Sequence, residues 1–278
     1  MSDNALDTLQ GVLFFGLIAL LTNWVAYQRA FFKLPSYTRP PVRLSHLFSV
    51  FGIYLGFSLV LPIFLLKLQT KPSTDSFTTI QFFMAAAMLI TLLFYIRTEG
   101  RGALSASVKN PESPSSRWTD FGLGMVVWLV AFPWVAVINQ ICDFLLVSFF
   151  HFQSYEQVAV RYLKESLQAP PQAAMALISV IVIAPIAEEL LFRGTLQQYL
   201  KKFCSLKTAI LLTAIIFACF HFSLSQNLGN LSLIPSLFIF SCFLGYTYER
   251  QGSIFASIGL HLTFNLASSL QILFFTEG

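Results

Sequence analysis

Eight stretches of mostly apolar residues, most of them close to the length that crosses a lipid bilayer, leave this chain few ways to fold. They run roughly over residues 9–27, 47–68, 77–96, 118–150, 172–192, 208–225, 231–248 and 253–275. About 20 apolar residues in helical form cross the hydrocarbon core. Inside it, every backbone N–H and C=O must find its partner within the protein. The expected fold is therefore all-α, a polytopic bundle of about eight spanning helices. Composition agrees: 56% of the residues are hydrophobic and 11% are charged, against about a quarter charged in soluble domains. Lipid, not water, is the solvent for most of such a surface. The net charge of +4 lies in the loops and gives no ground for nucleic acid as a partner.

Several stretches have features of their own. The fourth is too long for one straight span, which calls for tilt, a kink at Pro133, or extension beyond the bilayer. The sixth and seventh are short and are separated by a tight turn over residues 226–230. The first follows Asp3 and Asp7 rather than a basic region, and no small-x-small site follows it. It reads as a retained helix, not a signal peptide. Residues 98–117 are rich in Ser, Gly and Pro and read as a mobile cytoplasmic connection. Residues 154–168 suit either a short amphipathic helix on the outer face or an ordered loop. Cys142, Cys204, Cys219 and Cys242 are scattered without a CxxC spacing, so they read as packing residues. The chain divides into residues 1–117, with the first helices and basic loops, and residues 118–278, which hold the polar motifs.

Lys and Arg counts orient the bundle. The loops on one side carry four, and those on the other carry twelve, with Arg193 set apart as an intramembrane residue. The basic loops are expected in the cytoplasm and both termini outside.

Ionisable groups inside a bilayer are expensive and mark function by default. Here they crowd into the last four stretches as Glu188, Glu189, Arg193, His221 and His261, with Asn265 as a further strong polar group. Asp143 in the fourth stretch stands apart and reads as packing or a water contact. Glu189 and Arg193 are four apart and share a helix face, whereas Glu188 lies about 100° round the helix. His221 follows Phe217 by four, and Asn265 follows His261 by four. If the fifth helix ends near Arg193, the depths from the basic side are about 8 Å for Glu188, 12 Å for His261, 18 Å for Asn265 and 20 Å for His221. Helix tilt is then needed to gather them into one cavity open to the cytoplasm.

The order Glu-Glu-x-x-x-Arg, Phe-x-x-x-His, His-x-x-x-Asn resembles the CAAX protease and bacteriocin-processing superfamily, which includes the type II CAAX prenyl endopeptidases. The likeness covers about residues 172–275. It implies hydrolysis of a peptide bond within the membrane by glutamate-activated water. On this chain it implies that Glu188 and His221 activate the water and that His261 and Asn265 form the oxyanion hole. Glu189 and Arg193 would support the site, and Phe217 would shape the pocket. The implied localisation is the cell (inner) membrane, and the implied partners are membrane lipid and a membrane-associated peptide or protein.

The physical logic fits. A general base has to sit within reach of its water, and two adjacent glutamates need different surroundings. Arg193 can pair with Glu189 and leave Glu188 free. Zinc is the mechanistic rival, since two histidines and two glutamates are zinc ligands. There is no H-E-x-x-H pattern, however, and Asn is a weak zinc ligand, so no cofactor is expected. A transporter would distribute its charges over two related halves. A catalytically silent scaffold would use the same pocket only to bind. The substrate and the oligomeric state are not written in the sequence.

Overall fold

A computed structural model of the protein describes residues 3–35, 42–67, 74–99, 102–150, 157–167 and 169–275. Of the described residues 87% are helical, and none lies in a strand. α1 is Asp3–Gln28. α2 is Leu44–Leu55, continued through a π-helical turn at Gly56–Val60 into Leu61–Lys67. α3 is Thr74–Thr98, α4 the short Ala103–Val108, α5 Arg117–Phe150, and α6 the short Val158–Ser166. α7 is Pro170–Leu200, α8 Leu206–Phe220, α9 Asn230–Gln251 and α10 Ile254–Phe275.

Among the described residues, seven helices are long and apolar enough to cross a membrane, and α8 is a shorter apolar helix. Eight expected stretches thus become seven long helices and one short one. This is an integral membrane protein, an all-α polytopic bundle. Its outward faces carry large apolar side chains, such as Leu13, Phe48, Ile90 and Phe149, which only hydrocarbon accommodates at this density.

Where the structure departs from the expectations, the cause is visible. α5 runs unbroken through Pro133 for 34 residues, about 51 Å at 1.5 Å per residue, so extension rather than a break resolves the long fourth stretch. α7 does not stop near Arg193 but continues to Leu200. Glu188 therefore lies about 18 Å from the end of its helix, near the depths of Asn265 and His221.

The stretch expected to be a mobile connection is packed, as far as it lies within the described residues. Lys109 Nζ is held by Asp120 Oδ2 at 2.7 Å, Ser113 Oγ at 2.8 Å and Ser115 Oγ at 3.1 Å. Tyr248 donates its hydroxyl to the Ser107 carbonyl at 2.8 Å, and Asn110 N donates to the Gly252 carbonyl at 2.8 Å. Its serines serve as ligands for a charge, not as a flexible spacer. Residues 158–166 of the stretch with two readings are helical, as α6; residues 154–156 and 168 lie outside the described residues. The turn expected at 226–230 is a 3-10 segment, Leu224–Gly229, with Asn227 at φ 45°.

The loops that charge counting placed on one side do meet at one end. The Phe31 carbonyl accepts from Tyr246 Oη at 3.0 Å and from Arg250 Nε at 2.6 Å. Lys201 Nζ reaches Glu249 Oε2 at 2.9 Å, and Ser113 Oγ donates to the Gln251 carbonyl at 2.8 Å. Gly252, at φ 60°, turns α9 into α10 there, a left-handed conformation that favours glycine.

α5 and α10 run side by side at very close range. A methyl group at Gly124 would overlap the Ala256 carbonyl, and one at Gly259 would overlap the Phe121 carbonyl. Small residues let membrane helices approach in this way. The contact fixes α10, and with it His261, relative to the longest helix of the bundle.

Candidate active site

α7 is irregular where it carries the glutamates. Ala184–Glu189 is α-helical, but it is flanked by π-helical segments at Ser179–Ile183 and Leu190–Gln197. π turns are rare and concentrate at functional sites. Thr195 Oγ1 donates to the Leu190 carbonyl, five residues back, at 2.9 Å. Every residue from 189 to 198 is buried.

The centre of this region is an ion pair with no exposure at either side chain, Glu189 Oε1 to Arg193 Nη1 at 3.0 Å. Arg193 Nη2 donates to Ser241 Oγ at 2.6 Å and to the Ser241 carbonyl at 3.2 Å. The guanidinium carbon lies 4.7 Å above the centre of the Phe217 ring. A buried charge is tolerated when it is paired and hydrogen-bonded, and the aromatic face adds a cation–π contact.

His261 joins this pair to the neighbouring glutamate. Its Nδ1 is 2.9 Å from Glu189 Oε1. An ionised carboxylate only accepts, so Nδ1 carries the proton. Its Nε2 then faces Glu188 Oε2 at 3.8 Å. His221 repeats the arrangement from another helix. Its Nδ1 is 2.8 Å from the Phe217 carbonyl, which also only accepts, and its Nε2 faces the same Glu188 Oε2 at 3.9 Å. Two imidazoles thus present the same ring atom to one carboxylate oxygen. Both gaps exceed a direct hydrogen bond.

The exposures divide the cluster. The side chain of Glu188 is 13% exposed and that of His221 33%, against none for Glu189. Fully buried Phe217 is the shared floor, its ring centre 4.7 Å from that of His221 and 6.0 Å from that of His261. Phe240 flanks His261 at 5.2 Å.

His221 stands where it does because α8 stops. Ser205 caps the start of α8, accepting from Thr208 N at 3.3 Å. At the other end His221 leaves helical geometry at φ −94°, ψ 2°. Asn230 braces the chain beyond, accepting from Ser223 N at 3.1 Å and donating to the Ser223 and Asn227 carbonyls at 2.7 and 3.0 Å. Irregular backbone at membrane depth needs such partners.

The structure gathers Glu188, Glu189, Arg193, Phe217, His221 and His261 around one point. Asn265 is engaged differently: its Nδ2 donates to the Val180 carbonyl, in the first π-helical segment of α7, at 2.8 Å. The residue that the family resemblance assigns to an oxyanion hole therefore ties α10 to α7, and that bond uses one of its two amide N–H groups. Asp143 lies outside the cluster, bonded to Ser232, which also accepts from Asn139 Nδ2 at 2.6 Å. Ser241 was invisible to sequence reasoning. It is one of several serines in α9, and nothing in its spacing marks it. Among the described residues, no group of three or more His, Cys, Asp or Glu side chains is arranged to hold a metal ion.

A bundle of apolar helices whose interior brings two glutamates, an arginine and two histidines together defines an integral membrane protein with a buried polar site. Comparison with known families narrows the class. Residues 170–267, from the start of α7 into α10, match the family described as Rce1-like, type II CAAX prenyl endopeptidase Rce1-like. The segment that builds the site is thus similar to this family, in agreement with the resemblance of its motifs. Searches of curated proteins and of solved structures returned no match.

Proposed function

We propose that this protein is an intramembrane endopeptidase that cleaves a peptide bond of a membrane-associated or lipid-modified protein with water activated by Glu188. The observation that carries the reading is the convergence of His221 Nε2 and His261 Nε2 on Glu188 Oε2 at 3.9 and 3.8 Å. The Rce1-like character of residues 170–267 supports it.

In this mechanism a water seated between Glu188 and His221 donates one hydrogen to each and turns its lone pair toward the scissile carbonyl carbon. As the C–O bond forms, the proton passes to Glu188 and the carbonyl π pair moves onto oxygen. The C–N bond then breaks, and Glu188 returns the proton to the leaving nitrogen. One water is consumed, and a carboxylic acid and an amine are released. The developing oxyanion is received by the free amide N–H of Asn265 and by His261 Nε2, which becomes a donor by taking a proton from solvent water and returns it when the C–N bond breaks. One such donor contributes about 3 kcal/mol. Glu189 and Arg193 hold His261 in place, and Phe217 supports both rings. No metal takes part.

The basic end of the bundle is assigned to the cytoplasm and the termini to the outside, following the excess of Lys and Arg in the loops that meet there. The test is quantitative proteomics of membranes carrying the wild-type protein against Glu188→Gln. Peptides that end at new C-termini are expected only with the wild type. Identical profiles would overturn the proposal and leave a binding scaffold.

A further inference from the structure

A second site lies at the basic end, away from the carboxylate cluster. The end of α3, the α4 segment and the start of α5 enclose a cleft of about 620 Å³, within the range of small-ligand sites. Arg97, Lys109 and Arg117 line it together with Ser105, and no acidic side chain does. Ile96, beside Arg97, and Leu93, one turn deeper along α3, form its apolar wall.

The three cations have different surroundings. Lys109 is fixed by buried Asp120 and by two serines, so its own charge is largely matched. Arg117 is steadied over the Phe255 ring, 5.5 Å from its centre. Neither Arg97 nor Arg117 has an acidic partner among the described residues. The nearest carboxylate along α3, Glu99, is engaged by His46 Nε2 at 3.0 Å. Two unpaired guanidinium groups above an apolar wall, at the level where a spanning helix leaves the bilayer, match a headgroup phosphate above its acyl chains.

We infer that this cleft binds the phosphate headgroup of an anionic phospholipid from the leaflet at the basic end. Arg97 and Arg117 grip the phosphate, the Ser105 hydroxyl donates to it, and the acyl chain lies along Leu93 and Ile96. A zwitterionic headgroup carries its own cation into a cleft with no acid to receive it, so it binds less well. Because α4 also anchors to α9 through Ser107 and Tyr248, the lipid closes the seam between α3, α4 and α5.

The test uses the purified full-length protein in detergent, titrated with phosphatidylglycerol or phosphatidylcholine and read by native mass spectrometry. Phosphatidylglycerol is expected to bind the wild type at one tight site and phosphatidylcholine to bind clearly more weakly. The double variant Arg97→Gln/Arg117→Gln should bind phosphatidylglycerol about thirtyfold more weakly. Arg97→Lys/Arg117→Lys should recover part of the affinity. Arg29→Gln/Lys33→Gln removes equal charge from the same end and should change little. Equal loss in the two glutamine pairs would show diffuse surface attraction and overturn the site, as would unchanged binding in Arg97→Gln/Arg117→Gln or equal binding of the two lipids. Displacement of the lipid by excess inorganic phosphate would assign the cleft to a free anion and overturn the lipid reading. Cleavage activity is not the readout, so the result stands apart from the peptidase proposal.

Discussion

Glu188 and Glu189 are joined by one peptide bond, yet the two carboxylates have little in common beyond their chemistry. Glu189 is fully enclosed, and its Oε1 is within hydrogen-bond distance of both Arg193 and His261. Glu188 is partly open, and its nearest imidazole nitrogens stop short of direct bonding. In the proposed mechanism the enclosed carboxylate, bonded through its Oε1, serves architecture, and the partly open one does the chemistry. The same helix supplies both because a 100° step separates them.

The comparison can be broken by substitution. Glu188→Gln keeps the shape and removes the base, so the turnover of a fluorogenic membrane peptide should fall by about 10²- to 10⁴-fold with the melting temperature unchanged. If Glu188→Gln unfolded the protein and left the surviving fraction active, the division of labour would be reversed. Glu189→Gln should do the opposite. It strands a buried guanidinium, at a cost of about 3–5 kcal/mol, visible as a large drop in thermal stability in detergent. Replacing both partners, Glu189→Leu with Arg193→Met, should destabilise less than either single change, although His261 then loses its anchor and activity stays low. Ser241→Ala leaves one Arg193 N–H without a side-chain acceptor and should cost about 1–3 kcal/mol, with activity falling only as folded protein is lost. Thorough chelation of purified enzyme should change turnover least, by less than about twofold. Loss of activity on chelation, restored by zinc, would move Glu188 and the two histidines from water activation to metal ligation.

The sequence shows the helical class, seven of the eight spans and the face shared by Glu189 and Arg193, because apolar length and the 3.6-residue period depend only on local order. Alternation of eight spans put the loops that hold Phe31, Ser113, Lys201 and Arg250 on one side, and those residues bond at one end of the bundle. Other features depend on tertiary partners and left no local mark. The π-helical segments of α7 change the register between its two ends without altering composition. The bond from His261 to Glu189, 72 residues away in the chain, has no sequence signal. The Ser-rich stretch before α5 looks like a loop by composition, and only the position of Lys109 and Asp120 shows that its hydroxyls are in use.

The short α8 has a mechanical consequence for the membrane. Its 15 residues reach about 22 Å, against a hydrocarbon core of about 30 Å. Leu211, Leu212, Ile215 and Ile216 face outward along it. Lipid beside this helix meets too little apolar height and has to thin or tilt to match it. On the proposed function, this flank, which ends at His221, is where water and a peptide backbone would have the least hydrocarbon to cross.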